Sequence, residues 1–294
     1  MRRFFIVVLC VAASLPVAPF AAAQQPASPA TAASREPTCP ASGYAKPWYG
    51  MAGDNDGVLR GYEIASPCIG KDVRDAAVAI GMGRWKPLGV KTLTTLRFQA
   101  TGKIANEAGQ MQADARVDMG INFTIPAARL AVTTAKGADI RVFNDKQAWN
   151  ETSPGVGGAM AAKALPLRAP LLKLTPYGAL WSVIEAEGHA KISKDAKGQT
   201  VVTGASPYDG YVVAVTLDAK SLPVAVSVKA EGKTYSATFA DYSDKWESPY
   251  LFIFPSRITW TMNGKPMADL SVTAFHSNPY VVFPPPPVKT AAAQ

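Results

Sequence analysis

The chain has 294 residues, of which 30 are Lys or Arg and 22 are Asp or Glu, giving a formal net charge of +8. That length can hold one large or two small domains around a real hydrophobic core. The basic residues stand singly between apolar runs, with no basic stretch interleaved with aromatics. This argues against nucleic-acid binding and for a solvated surface, suited at most to peripheral contact with an anionic membrane.

Arg2 and Arg3 precede an apolar run from Phe4 to Val11, and small residues follow to Ala21-Ala22-Ala23. This order predicts a signal peptide over residues 1–23, cleaved near Ala23, and hence a periplasmic or secreted protein. The apolar run is shorter than the roughly 20 residues a membrane-spanning helix needs. Cys10 would leave with the signal peptide, since Val8-Leu9-Cys10 lacks the small residues that lipoprotein processing requires. Cys39 and Cys68 remain, an even pair that in an exported chain favours a disulfide; two free or buried thiols are the alternative.

Residues 24–38, rich in Ala, Pro, Gln and Ser, read as a disordered leader. Residues 39–71 read as a loop-rich segment, in which Asp54-Asn55-Asp56-Gly57 is turn chemistry without the spacing or closing Glu of a calcium loop. A main domain is expected over 72–284. It starts with a helix over about 72–82, where Val73, Ala76, Ala77 and Ile80 fall on one face. From Leu96, Phe98 and Ala100 the period changes to two, and β-like runs follow near 110–123, 128–135 and 139–149.

A helical interlude is expected over about 157–187. Thr175 is its N-cap signal, Pro176 its first helical residue and Gly188 its stop. Tyr177, Leu180, Trp181 and Ile184 form an apolar stripe, which makes this helix a lid or plug against a sheet. From about 199 the strands return: Tyr211, Val213, Val215 and Leu217; Val224, Val226 and Val228; Tyr235, Ala237 and Phe239; Ile258, Trp260 and Met262; Leu270, Val272 and Ala274. Such alternation puts one sheet face in an apolar core and the other in water. Glu231-Gly232-Lys233 and Asn263-Gly264 are hairpin connections. The whole predicts an α+β protein, mainly antiparallel β, a meander of roughly nine to eleven strands curling round its helices. The run from Pro284 to Pro287 reads as polyproline, and 285–294 as a Pro-rich, disordered tail.

The chemistry of a hydrolase or transferase is missing from the pattern. His189 and His276 are the only histidines and are far apart. The sequence contains no C-x-x-C, H-x-x-x-H, H-x-H-x-D, G-x-S-x-G or S-x-x-K. Gly232-Lys233-Thr234 resembles the end of a phosphate-binding loop, but its earlier glycine falls on Ser227 and it lies between strands. No metal, no cofactor and no enzymatic activity are therefore expected.

One set of phrases carries a resemblance: Gly81-Met82-Gly83, Leu88-Gly89-Val90-Lys91-Thr92-Leu93, Phe143-Asn144-Asp145-Lys146-Gln147-Ala148-Trp149-Asn150, Leu174-Thr175-Pro176-Tyr177-Gly178, Thr238-Phe239-Ala240-Asp241-Tyr242, Phe254-Pro255-Ser256-Arg257-Ile258 and Asn278-Pro279. Their order resembles the periplasmic lipoprotein-carrier group of the LolA/LolB/RseB type. The resemblance implies a curved half-barrel sheet with helices packed on its concave face, and an apolar cavity for a lipid or acyl chain. Phe98, Trp149, Trp181, Tyr211, Phe239 and Trp260 are the candidate cavity residues it implies; ordinary core packing is the alternative for these aromatics. An envelope-protein interaction module is the rival to the lipid carrier, and an enzyme with an unrecognised site is a third reading.

Overall fold

A computed structural model of the chain describes residues 70–82, 93–123, 125–144, 146–186, 189–206, 209–246, 252–281, 283 and 287. They belong to one compact unit, Pro37–Gln294. The expected signal peptide, the leader, Cys39, Cys68 and the Asp54–Gly57 cluster lie outside the described residues.

A short helix, α1 (Lys71–Ala79), leads into a first run of strands: β1 (Thr95–Ala105), β2 (Met111–Asn122), β3 (Ala127–Thr134), β4 (Gly137–Phe143), β5 (Ala148–Glu151) and β6 (Ala159–Met160). A helical segment follows, made of α2 (Leu165–Arg168), flanking 3₁₀ turns at Ala162–Ala164 and Ala169–Lys173, and α3 (Pro176–Glu185). The second run is β7 (Lys191–Lys194), β8 (Thr200–Ala205), β9 (Val212–Leu217), β10 (Pro223–Ala230), β11 (Lys233–Ser243), β12 (Phe254–Met262) and β13 (Lys265–Ser277). All thirteen strands form one antiparallel sheet in the order β6-β5-β4-β3-β2-β1-β13-β12-β11-β10-β9-β8-β7. Each run is a local meander, and the two meet where β1 pairs with β13. The sheet is an open, curved half-barrel. Its two edges, β6 and β7, are consecutive in sequence, so the helical segment between them must pass from one edge to the other, and it does so on the concave side.

Turn chemistry explains much of the strand pairing. Asn263 and Gly264 have φ of 50° and 75°, and Glu231 and Gly232 have 49° and 70°. Two successive positive φ angles make type I′ turns, whose twist matches that of the strands they join. The phosphate-loop look-alike at Gly232 is thus a hairpin tip. The run read from sequence as one strand over 139–149 is broken at Asn144, whose side chain accepts from the amides of Lys146 (2.9 Å) and Gln147 (2.7 Å). That local bond competes with the ladder and makes a turn. With the short edge strands β6 and β7 it raises the count above the nine to eleven expected.

A second departure lies in β13. The alternation was expected to bury Leu270, Val272 and Ala274, but the register shifts between Gln99 and Ala100, where Val272 pairs with Ala100 and Ala274 with Gln99. The extra residue, Thr273, is a bulge that reverses the facing of everything after it. Phe275 therefore enters the core opposite Phe98, and Ala274 turns outward.

The outer face carries its own small apolar cluster, Ile140, Val142 and Trp149, with Ala131, Met160 and Phe283 against it. Phe283 arrives on a segment that leaves β13 and crosses this face. Asn278 Oδ1 accepts from the amides of Thr94 (2.8 Å) and Thr95 (3.3 Å). Val281 then lies over Gly120, and Pro287 over Gly158. Arg129 stacks on the Phe283 ring at 5.5 Å while its guanidinium grips the fully buried carboxylate of Glu151 at 2.8 and 3.0 Å.

Candidate functional site: an apolar trough and its plug

The concave face is a continuous apolar surface. Leu96 and Phe98 of β1, Val213 and Val215 of β9, Val228 of β10, Tyr235 and Phe239 of β11, Ile258 and Trp260 of β12, and Leu270 and Phe275 of β13 are all buried in one cluster. Its floor is strongly aromatic. Phe254 and Phe275 stack with centroids 4.5 Å apart, Phe98 meets Phe254 at 5.4 Å, and Tyr177 from the helical segment stacks on Phe275 at 6.2 Å.

Helix α3 fills the trough. Its sequence is apolar on every side, PYGALWSVIE, and Tyr177, Ala179, Leu180, Trp181, Val183 and Ile184 are all buried. A helix that is hydrophobic all round belongs in an interior, and this one has the sheet on one side and α1 on another. It is a plug rather than a surface lid. Thr175 caps it by accepting from the Gly178 amide at 3.1 Å, and Pro176 occupies the first turn, as the sequence predicts.

Two glycines permit close approaches, one inside the helical segment and one between it and the sheet. A Cβ on Gly178 would fall 1.9 Å from the Leu172 carbonyl oxygen, and one on Gly204 of β8 would fall 2.7 Å from Ala186 Cβ. In a strand interior such a glycine marks close backbone approach.

Polar anchors hold the plug at separate points. The Tyr177 hydroxyl donates to the carbonyls of Ile80 (2.7 Å) and Ile253 (2.9 Å), sharing one proton between them. Trp260 Nε1 donates to the Leu174 carbonyl at 3.1 Å, and Tyr235 to that of Pro166 at 3.2 Å. Arg168 is the strongest anchor. It is 2% exposed, and it donates to Glu107 Oε1 (2.6 Å), the carbonyls of Val142 (3.2 Å) and Trp149 (2.7 Å), and Asn150 Oδ1 (2.5 Å). This planar fork ties the plug to the β4–β5 hairpin and to the β1–β2 turn.

Among the aromatics proposed from sequence, Phe98, Trp181, Phe239 and Trp260 lie together in the main core, and Tyr211 packs at its margin. Trp149 does not join them. Read as part of one strand with Phe143, it would share the concave face; the Asn144 turn instead pairs Phe143 with Ala148 and Val142 with Trp149, which sends Trp149 to the outer face. Sequence reasoning missed Phe252, Phe254, Phe275 and Arg168. Phe275 is hidden by the bulge, and a lone arginine carries no sign that it will be buried.

At one end of the trough, beside Tyr211, a 460 Å³ pocket is lined by Asp209, Tyr211, Lys229, Glu231, Lys233 and Thr234, among others. Lys173 of the plug reaches this rim, pairing with Asp209 at 2.9 Å, donating to Ser182 Oγ at 3.2 Å, and standing 5.9 Å from the Tyr211 ring. Burial, then the carboxylates of Asp209 and Glu231, push the Tyr211 phenol up to about 12. A second pocket, 430 Å³, lies on the outer face among Gln99, Thr101, Arg116, Asp118, Thr133 and Thr273. Both are polar-walled.

No protein-family model matches the chain, and no curated protein matches it. Among solved structures it is similar to a LolA superfamily protein from Nitrosomonas europaea, with 10% identity and a TM-score of 0.40, over 64% of this chain and 88% of that one. The functional reading therefore rests on the trough itself.

The two histidines are placed apart. His276 stands on the exposed side of β13 opposite Arg97, and His189 is exposed in the stretch after α3. Among the described residues no three His, Cys, Asp or Glu side chains converge as metal ligands, and no helix is long and apolar enough to cross a membrane.

Proposed function

We propose that the protein is a non-enzymatic carrier, working outside the cytoplasm, that takes up a lipid acyl chain or a comparable apolar ligand in the trough when the plug moves aside. The observation that carries this reading is the pairing of a continuous aromatic and aliphatic concave face with an apolar helical insert. The insert is joined to the sheet edges only at its ends and is pinned by discrete hydrogen bonds. Burial of an acyl chain contributes about 0.8 kcal/mol per methylene, so a chain of about sixteen carbons offers on the order of 10 kcal/mol toward replacing the contacts of the plug. The ligand and α3 would be alternative occupants of one apolar surface; Phe98, Phe239 and Trp260 of the sheet would line the ligand, and Trp181 would leave with the plug.

The interior is filled, and that observation favours a second reading: an envelope-protein interaction module in which the plug stays in place. Native mass spectrometry of protein purified from the periplasm, followed by lipid extraction, separates the two. A stoichiometric co-purifying lipid supports the carrier. Empty protein that also fails to bind a fluorescent fatty acid sinks the carrier and leaves the interaction module.

A further inference from the structure

The outer face of the sheet holds an apolar patch that the trough and its plug do not use: Ile140, Val142 and Trp149, with Met160 against it. The chain's own C-terminal segment lies on this patch. Asn278 ties the start of the segment to the amides of Thr94 and Thr95, and Thr95 Oγ1 donates to the Pro279 carbonyl at 2.7 Å. Beyond that hook the contacts are made by side chains. Val281, Phe283 and Pro287 belong to no strand, and no backbone hydrogen bond joins them to the described residues of the face. Phe283 packs on the patch, with the Arg129 guanidinium 5.5 Å from its ring centroid. Four residues on, Pro287 fills a notch that Gly158 leaves open: a Cβ there would stand 3.0 Å from Pro287 Cγ and 3.4 Å from Trp149 Cδ1. Phe283 is followed in sequence by four prolines. A polyproline segment leaves its backbone to water, so ring contacts on an aromatic-lined groove, without ladder bonds, are the mode by which proline-rich ligands are read.

We propose that this patch is a groove for proline-rich segments, that the tail is its resident ligand, and that a segment of another protein, with an aromatic residue four positions before a proline, exchanges with it. The tail is tethered at Asn278 but held on the patch through the Phe283 and Pro287 rings, so its release uncovers the groove without breaking any strand pairing. A patch of this kind, once bare, is the sort of exposed apolar surface that marks a protein-binding site. The tether sets the competition. A tethered ligand acts at an effective concentration on the order of 1 mM, so a free segment that binds at about 0.1 mM is weakened about tenfold while the tail is in place. The groove lies on the face away from the trough, and its occupancy does not depend on whether the trough takes a lipid.

The test uses the full chain and a fluorescein-labelled peptide copying residues 279–290, followed by fluorescence anisotropy. A full-length variant carrying Phe283→Ser and Pro287→Ser, with its tail released, should bind the peptide about tenfold more tightly than wild type. Met160→Lys added to that variant should weaken the peptide again, with circular dichroism unchanged. A peptide with serine in place of its copies of Phe283 and Pro287 should fail against the variant and against wild type at high concentration, which keeps the groove testable if the variant does not fold. Equal binding of the unmodified peptide to wild type and variant, or binding to neither, overturns the groove. A wild-type dimer in the absence of peptide, lost in the tail variant, would mean that copies exchange tails, and overturns the foreign partner in favour of a second copy.

Discussion

Arg168→Met tests the anchoring of the plug most directly. Methionine keeps much of the arginine stem's apolar packing but removes every donor, so the carbonyls of Val142 and Trp149 lose a charged partner that reaches them at 3.2 and 2.7 Å. A hydrogen bond from a charged group contributes about 1.5–3 kcal/mol net, and two such bonds set the gross loss at about 3–6 kcal/mol. Against this stands the desolvation cost of a guanidinium that is 2% exposed, which the substitution relieves. Glu107, with a side chain 37% exposed, rehydrates easily and adds little. The balance is a destabilisation of about 3 kcal/mol, which for a domain of this size lowers Tm by about 6–12 °C. Calorimetry of Arg168→Met and of Arg168→Lys beside wild type measures it. Lysine should restore only part of the loss, because a point charge on a flexible stem cannot reach all four acceptors that the planar fork spans. A methionine variant as stable as wild type would refute the reasoning, since it would mean that the hairpin carbonyls are satisfied without Arg168 and that the plug needs no latch there.

Gly178→Ala places a methyl group 1.9 Å from the Leu172 carbonyl oxygen; the turn before α3 must shift, and the near-UV circular dichroism of the buried aromatics should weaken while far-UV intensity changes little. Asn278→Ala removes the acceptor of the Thr94 and Thr95 amides, loosening the segment over the outer face; limited proteolysis should cleave after residue 278 faster than in wild type, with a stability loss of about 1–3 kcal/mol. Burial and the carboxylates of Asp209 and Glu231 push the Tyr211 phenol from its ordinary 10.0 up to about 12. Between those values the unfolded chain loses its proton first, so stability from this group is present below pH 10 and is lost as pH rises toward 12. Phenolate absorbance should show a late-titrating component that shrinks by one tyrosine in Tyr211→Phe and persists in part, because burial also raises Tyr235 and Tyr242.

The parts of the fold that sequence reveals are those set by near neighbours. Asn263-Gly264 announces a type I′ turn because two adjacent residues accept positive φ. Thr175-Pro176 announces a helix start because cap and first turn lie within three residues. What stayed hidden depends on two strands at once. The Thr273 bulge exists only relative to the partner strand β1, so nothing within 270–275 alone distinguishes Ala274 from Phe275 as the buried residue. Trp149 changes face through a turn whose only local signal, Asn144, sits inside a run that otherwise reads as one strand. Arg168 resembles any solvated charge until the hairpin carbonyls of Val142 and Trp149 close over it. The half-barrel and the apolar rows of its trough were thus legible, while the latch and the aromatic floor around Phe254 and Phe275 were not.

The seam between β1 and β13 sets the order of assembly. Each meander pairs strands that follow one another along the chain, so most contacts form across short loops. The seam instead joins Thr94 to Asn278 across 184 residues. Local pairings form early and distant ones late, because the entropy of closing the long loop is lost before any contact offsets it. Two half-sheets should therefore gather first, each with an apolar face open to water and one raw edge at the future seam. In that interval the helical segment is the shared connector of both halves, and its apolar surface gives them a common object to condense around before the last pair of strands zips shut.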